Sequence, residues 1–160
     1  MAHLLLIGSE GLIGRSLAEY FHQYAIPFKS FDLRLSPSHH GRGNILDKVA
    51  LKKVAEGCIG IIHLAGTSRV ILGQKDPALC FKHNVEGTAN IIQTVLESSY
   101  KPWLIYASSR EVYGQQETLP VCEDAVLKPM NIYAHSKVVA EKKVLEARQE
   151  GALTAILRFS

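Results

Sequence analysis

Two hydrophobic rhythms alternate along the chain. Short, nearly unbroken apolar runs occur at HLLLIG (3–8), PFKSFD (27–32), GIIHLAG (60–66), WLIYASS (103–109) and TAILRF (154–159). Runs that are apolar at successive positions suit strands covered on both faces, as in a parallel sheet. Between them, apolar residues recur at helical spacing. In 12–24 these are Leu12, Ile13, Leu17, Phe21 and Tyr24; in 76–98, Phe81, Val85, Ile92, Val95 and Leu96; in 131–149, Ala134, Val138 and Leu145. Residues 47–56 form a shorter helical stretch, and GRGNIL (41–46) reads as a short additional strand. Alternating strands and helices predict an α/β fold with a doubly wound parallel sheet. The longest irregular stretch is 114–129. It leaves the carboxyl end of a strand, where ligands bind in such sheets, and reads either as a mobile binding loop or as a plain surface connection.

The 160 residues, 47% hydrophobic and 21% charged, fit one globular domain, without repeats or linkers. The net charge of +3 is scattered: Lys52-Lys53 and Lys142-Lys143 are isolated pairs with acids nearby. That distribution argues against a nucleic-acid partner. Cys58, Cys80 and Cys122 lie far apart without metal-ligand spacing, and His39-His40 sits in a loop-like SPSHHGRG. No zinc site, other metal site or disulfide framework is expected, and a reduced, cytoplasmic setting fits best. The opening MAHLLLIG lacks a basic flank and a cleavage site and is too short to span a bilayer, so no membrane association is expected.

The first predicted strand runs into IGSEGLIG, which places Gly8, Gly11 and Gly14 in the spacing G-x-x-G-x-x-G at a strand–turn–helix junction. Gly8 permits a tight turn, Gly11 lets backbone approach a pyrophosphate, and Gly14 lets helix and strand pack closely. The free N–H groups of the helix start, at Leu12 and Ile13, face the anion. Asp32 ends the second strand, eighteen residues beyond Gly14. A carboxylate there suits the ribose hydroxyls of an adenosine and repels a 2′-phosphate, so NAD is favoured over NADP; Arg34 weakens that preference.

At the other end of the crevice, YASSREVYG (106–114) places Ser108 and Ser109 at the carboxyl edge of the fourth strand, and NIYAHSK (131–137) starts a helix with Tyr133 and Lys137 one turn apart. A lysine ammonium and a cationic nicotinamide favour the phenolate, and so lower the tyrosine pKa toward neutrality. Tyrosine then serves as a base for a substrate hydroxyl while a serine holds the same oxygen. His63 reads as a packed strand residue, and Glu111 as an acid near the serines without an assigned role.

The glycine pattern, Asp32, HLAG (63–66), NVEGT (84–88), SSREVYG and YAHSK, in that order, resemble the extended short-chain dehydrogenase/reductases, and within them the NAD-dependent epimerase/dehydratase group. The resemblance runs from His3 to Ser160 and implies a Rossmann fold. It implies Tyr133 as acid/base, Lys137 as its partner and a nicotinamide-ribose ligand, and Ser109 as the catalytic serine. Leu64, Ala65 and Gly66 would line the cofactor, Asn84 matches a helix asparagine near the active site, and Asn44-Ile45 match an adenine-contacting Asp-Ile pair. The implied substrate is a nucleotide sugar, and a homodimer is compatible with the family. The family's pattern continues beyond LRFS into a substrate domain, so the chain reads as an NAD(P)-binding domain, residues 1–160, cut at its last strand. The alternative is a non-catalytic NAD-binding sensor or scaffold on the same fold.

Overall fold

The computed structural model describes residues 3–160. Five strands, β1 (His3–Ile7), β2 (Phe28–Phe31), β3 (Cys58–His63), β4 (Trp103–Ser109) and β5 (Thr154–Phe159), form one parallel sheet in the order β2-β1-β3-β4-β5. The connections are helical: α1 (Leu12–Gln23), α2 (Lys48–Ala55), α3 (Val70–Lys75), α4 (Pro77–Phe81), α5 (Gly87–Glu97) and α6 (Ile132–Gln149). From β1 the chain moves to β2 on one side and later returns to β3 on the other, which opens a crevice at the carboxyl ends of β1 and β3.

The apolar runs form strands because both faces are covered. Leu5, Ile7, Ile61, Leu104 and Tyr106 pack with Leu51 of α2, Ile91 and Val95 of α5, and Ala140, Val144 and Ala147 of α6. On the opposite face Leu6 and Ile62 pack against Phe21 of α1. Burial of each large side chain contributes about 1.5–3 kcal/mol. Asp47 caps α2 by accepting from Val49 N–H and Ala50 N–H, both at 3.0 Å, and Asn131 caps α6 by accepting from Ala134 N–H at 2.8 Å.

Several elements depart from the sequence reading. Residues 41–46 do not form a strand; Arg42 makes one isolated parallel bridge to Asp32. The predicted 76–98 helix is α4 and α5 joined by a π-helical segment, Lys82–Glu86, and α3 precedes it. An extra residue in a helix widens one turn, and the Thr88 hydroxyl donates to Asn84 O there at 2.6 Å. In α1 the register is as expected at Phe21, but Leu12, Ile13 and Tyr24 are exposed. In α6 Leu145 is exposed, while the buried stripe carries Ser136, Lys137 and Glu141.

Candidate active site

The glycine turn closes the crevice from one side. Gly8 has φ +91°, and a Cβ there would sit 2.6 Å from Ala65 N and 2.8 Å from Leu64 C, so the β1 and β3 loops meet backbone to backbone. A Cβ at Gly14 would collide with Gly8 O and lie 2.9 Å from Ser9 Cα; this glycine packs against the turn itself rather than against the strand. Gly11 is the N-cap of α1 and offers no side-chain cap, which leaves the first-turn N–H groups, at Leu12 and Ile13, to an external acceptor. Within the same turn the Ser9 hydroxyl is buried without a partner.

Asp32 lies just past β2 and is 8% exposed. Its Oδ2 accepts from Glu10 N–H at 2.9 Å, and its Oδ1 accepts from Arg34 N–H at 2.8 Å and Arg34 Nε at 3.3 Å. Burial pushes its pKa up, but the hydrogen bonds from Arg34 and Glu10, together with the Arg34 charge, outweigh it and hold the carboxyl below its usual range. Asn44 Oδ1 accepts from Leu46 N–H at 3.0 Å. The Ile45 side chain belongs to the core and packs on Gly87, and its carbonyl accepts from Asn90 Nδ2 at 3.1 Å, so its N–H is the group that remains for a ligand.

Beyond β3, Leu64 N–H donates to Ile7 O at 2.8 Å, and Ala65 packs on the core. Gly66 has φ +146° and lies against Asn84 Oδ1. Asn84, 1% exposed, staples this loop: its Oδ1 accepts from Thr67 N–H at 2.8 Å, and its Nδ2 donates to Thr67 O at 3.1 Å and to Ser136 Oγ at 2.8 Å. The asparagine therefore joins the β3 loop to α6, with its amide committed to protein groups.

At the end of β4, Ser109 caps a 3₁₀ turn (Arg110–Tyr113) by accepting from Glu111 N–H at 3.2 Å. Tyr133 and Lys137, both buried, project from the first two turns of α6. Burial raises the Tyr133 pKa, the adjacent Ser109 hydroxyl opposes that rise, and the Glu111 and Cys80 charges add to it. The expected lowering by Lys137 is absent from the protein on its own: Lys137 Nζ donates to Ala107 O at 2.8 Å and lies 5.9 Å from the Tyr133 ring centroid. Burial in turn pulls Lys137 down to about 8, against the Cys80 and Glu141 charges. An ammonium carries three donors; the hydrogen bond to Ala107 accounts for one of them, and the Tyr106 ring centroid lies 4.9 Å from Nζ. A buried, under-used ammonium beside a phenol and a serine fits the hydroxyl-rich ribose of a nicotinamide nucleotide. Glu111 Oε2 accepts from Asn131 Nδ2 at 3.0 Å, which ties the serine turn to the start of α6.

Under the site, His63 Nε2 lies 3.0 Å from Thr88 Oγ1. The threonine proton is spent on Asn84 O, so Nε2 is the donor and buried Nδ1 is left without a partner. Burial first, then the Lys137 charge, pushes this imidazole down to about 3 from its ordinary 6.5. Between those values the unfolded chain binds the extra proton, so stability is complete above about pH 6.5 and falls as pH drops. At pH 5 the loss is about 2 kcal/mol. Urea unfolding at pH 7 and pH 5 is expected to show this difference, and His63→Gln is expected to remove most of it; an equal pH effect in both proteins would refute the assignment.

A charged network was missed in the sequence. Glu141 of α6, 2% exposed, accepts from Ser108 Oγ at 2.5 Å, from Arg158 Nε at 3.0 Å and from Arg158 Nη2 at 2.8 Å. Its one legible signal was the four-residue step from Lys137 to Glu141.

A five-stranded parallel sheet with helices on both faces, a glycine turn at its switch point and an acid after β2 define a Rossmann-type domain. The chain belongs to the NAD dependent epimerase/dehydratase family, whose profile matches residues 4–160. It is 32% identical over 146 residues to the GDP-6-deoxy-D-mannose reductase of Pseudomonas aeruginosa, covering 89% of this chain and 46% of the reductase. It is 30% identical over 121 residues to the UDP-glucose 4-epimerase of Lactobacillus helveticus, covering 74% of this chain and 36% of the epimerase. The chain thus spans less than half the length of either relative. Among solved structures, an NAD-bound short-chain dehydrogenase/reductase superfamily protein from Agrobacterium tumefaciens superposes with TM-score 0.88 at 31% identity, covering 100% of this chain and 49% of that one. RMD from Pseudomonas aeruginosa complexed with NADPH superposes with TM-score 0.83 at 29% identity, covering 99% and 53%. Among the described residues no helix is long and apolar enough to cross a membrane, and no cluster of three potential metal ligands occurs.

Proposed function

We propose that residues 1–160 form the cofactor-binding half of an NAD-dependent enzyme that oxidises and re-reduces a hydroxyl of a nucleotide sugar. The observation that carries this reading is the meeting of the Ser109 hydroxyl, the Tyr133 phenol and an under-used Lys137 ammonium at the sheet edge that also bears the glycine turn. Gly8, Gly11 and Gly14, with the N–H groups of Leu12 and Ile13, hold the pyrophosphate. Asp32 holds the adenosine ribose, Asn44 and the Ile45 backbone flank the adenine, and Leu64, Ala65 and Gly66 line the middle of the crevice. A bound nicotinamide supplies the hydride acceptor and a positive ring. Ser109 holds the substrate oxygen, Tyr133 takes its proton, and Lys137 binds ribose hydroxyls and steadies the phenolate. Asn84 acts at one remove, by fixing the Gly66–Thr67 backbone.

NAD is favoured because the Asp32 carboxylate faces the ribose site. Its bonds to the Arg34 guanidinium are long, at 3.3 and 3.5 Å, and that arginine side chain is 61% exposed, so ribose hydroxyls can displace it. Calorimetric titration of the chain is expected to give saturable NAD binding, weaker NADP binding, and about a tenfold or greater loss of NAD affinity in Asp32→Ala, the loss expected for hydrogen bonds to a charged group. A folded chain that binds neither nucleotide would end this reading.

A further inference from the structure

The 114–129 segment departs five residues after Ser109 and rejoins α6 four residues before Tyr133, so it is strung between two residues of the proposed site. Its base is closed by Lys128 N–H donating to Val112 O at 3.1 Å, and Gln116 Nε2 donates to Val126 O at 3.0 Å across it. Its far side has a different anchor. Arg158 of β5 donates from Nη1 to Glu123 O at 2.9 Å and to Tyr113 Oη at 2.7 Å, and its guanidinium carbon stacks 4.8 Å from the Tyr113 ring centroid. The same guanidinium holds Glu141, one turn beyond Lys137, through Nε and Nη2. One planar fork thus grips the loop with one edge and the catalytic helix with the other.

We infer that Arg158 is a positioning residue that locks the 114–129 loop to α6 and makes the loop a fixed wall beside Ser109 and Tyr133. The assignment of that wall to the substrate side rests on the proposed function; the lock itself does not. The geometry demands arginine. Four of its five N–H donors are used in fixed directions, toward a carboxylate on one side and a carbonyl and a phenol on the other. Lysine retains the charge that Glu141 requires but cannot span both sides. Tyr113→Phe removes the phenol that accepts from Arg158 and donates to Glu123 O at 3.4 Å, keeps the direct Arg158 bond to Glu123 O, and leaves the Arg158–Glu141 pair intact.

The test is digestion with a glutamate-specific protease, because Arg158 and Tyr113 together hold the Glu123 carbonyl, and the bond after Glu123 has to leave them to enter a protease site. Cleavage after Glu123 is expected to be about tenfold or more faster in Arg158→Lys, and to rise by a smaller factor in Tyr113→Phe. Cleavage after Glu146 within α6 is expected to stay unchanged in both, with NAD affinity within about threefold of the parent chain. Unchanged cleavage after Glu123 in Arg158→Lys would overturn the lock. Equal acceleration after Glu123 and Glu146 would also overturn it, since Arg158 would then serve only general stability. A parent chain that fails to bind NAD would refute the proposed function, while the cleavage comparison would still decide the role of Arg158.

Discussion

Tyr133→Phe is expected to lower hydride transfer by about 10³-fold, the middle of the range for loss of a positioned acid–base group, with NAD affinity within about threefold. The measurement is oxidation of GDP-6-deoxy-D-mannose by a chimaera that joins these residues to the remaining half of the Pseudomonas aeruginosa reductase. The environment of the phenol sets the size of this effect. Burial holds the Tyr133 pKa above its ordinary value of 10.0, and Glu111 pushes it the same way. A phenol in that state is a poor base at neutral pH. Lowering it from the ordinary 10.0 to about 7 alone requires about 4 kcal/mol of differential stabilisation, and the rise caused by burial adds to that requirement. Ser109 is the one neighbour that favours the phenolate in the protein alone. In the proposed mechanism the rest would come from positive charge: a reoriented Lys137 and a bound nicotinamide ring. Phenylalanine keeps the packing against Gly73 and removes only the proton acceptor. Equal rates in the two proteins would show that the proton leaves by another route.

Glu141→Ala is expected to destabilise the chain by about 3 kcal/mol, and Glu141→Gln by less. Removing one partner of a buried ion pair strands the other, at about 3–5 kcal/mol for a fully buried pair. The Arg158 side chain is 22% exposed and partly rehydrates, which sets the lower end of that range. The Ser108 hydroxyl, 5% exposed, loses its acceptor as well. Glutamine still accepts from Ser108 and from one edge of the guanidinium. Urea denaturation of the three proteins at pH 7 measures the order; a Glu141→Ala midpoint equal to that of the parent would sink the argument.

The sheet was legible in the sequence because its strands are apolar at successive positions, a signal that depends on no distant residue. The glycine turn and Asp32 were legible because their spacing is local. The buried face of α6 was not, because periodicity looks for apolar residues. There Ser136, Lys137 and Glu141 are buried and Leu145 is exposed. Each of those polar groups is compensated by a partner far away in the chain: Asn84 for Ser136, the Ala107 carbonyl for Lys137, Ser108 and Arg158 for Glu141. The π segment was hidden for a similar reason, since its widened turn is stabilised by Thr88 and by the reach of Asn84 to Thr67, neither of which alters the hydrophobic rhythm. Residues 41–46 have strand-like character, but their pairing closes at one bridge only, Arg42 with Asp32 just past β2. The raised Tyr133 pKa was illegible for want of burial: the motif specifies which groups are near, and only the packing decides how dry they are.

For these 160 residues as an isolated polypeptide, β5 bears on behaviour in bulk. Among the described residues its one strand neighbour is β4. Leu157 and Phe159 stand exposed on it, with Leu153 just before it. A strand margin with apolar side chains is a template for strand addition between molecules. Self-association of the isolated polypeptide at high concentration is therefore expected along this margin, and a lysine in place of Leu157 acts there as a gatekeeper while leaving the crevice at the β1–β3 junction untouched.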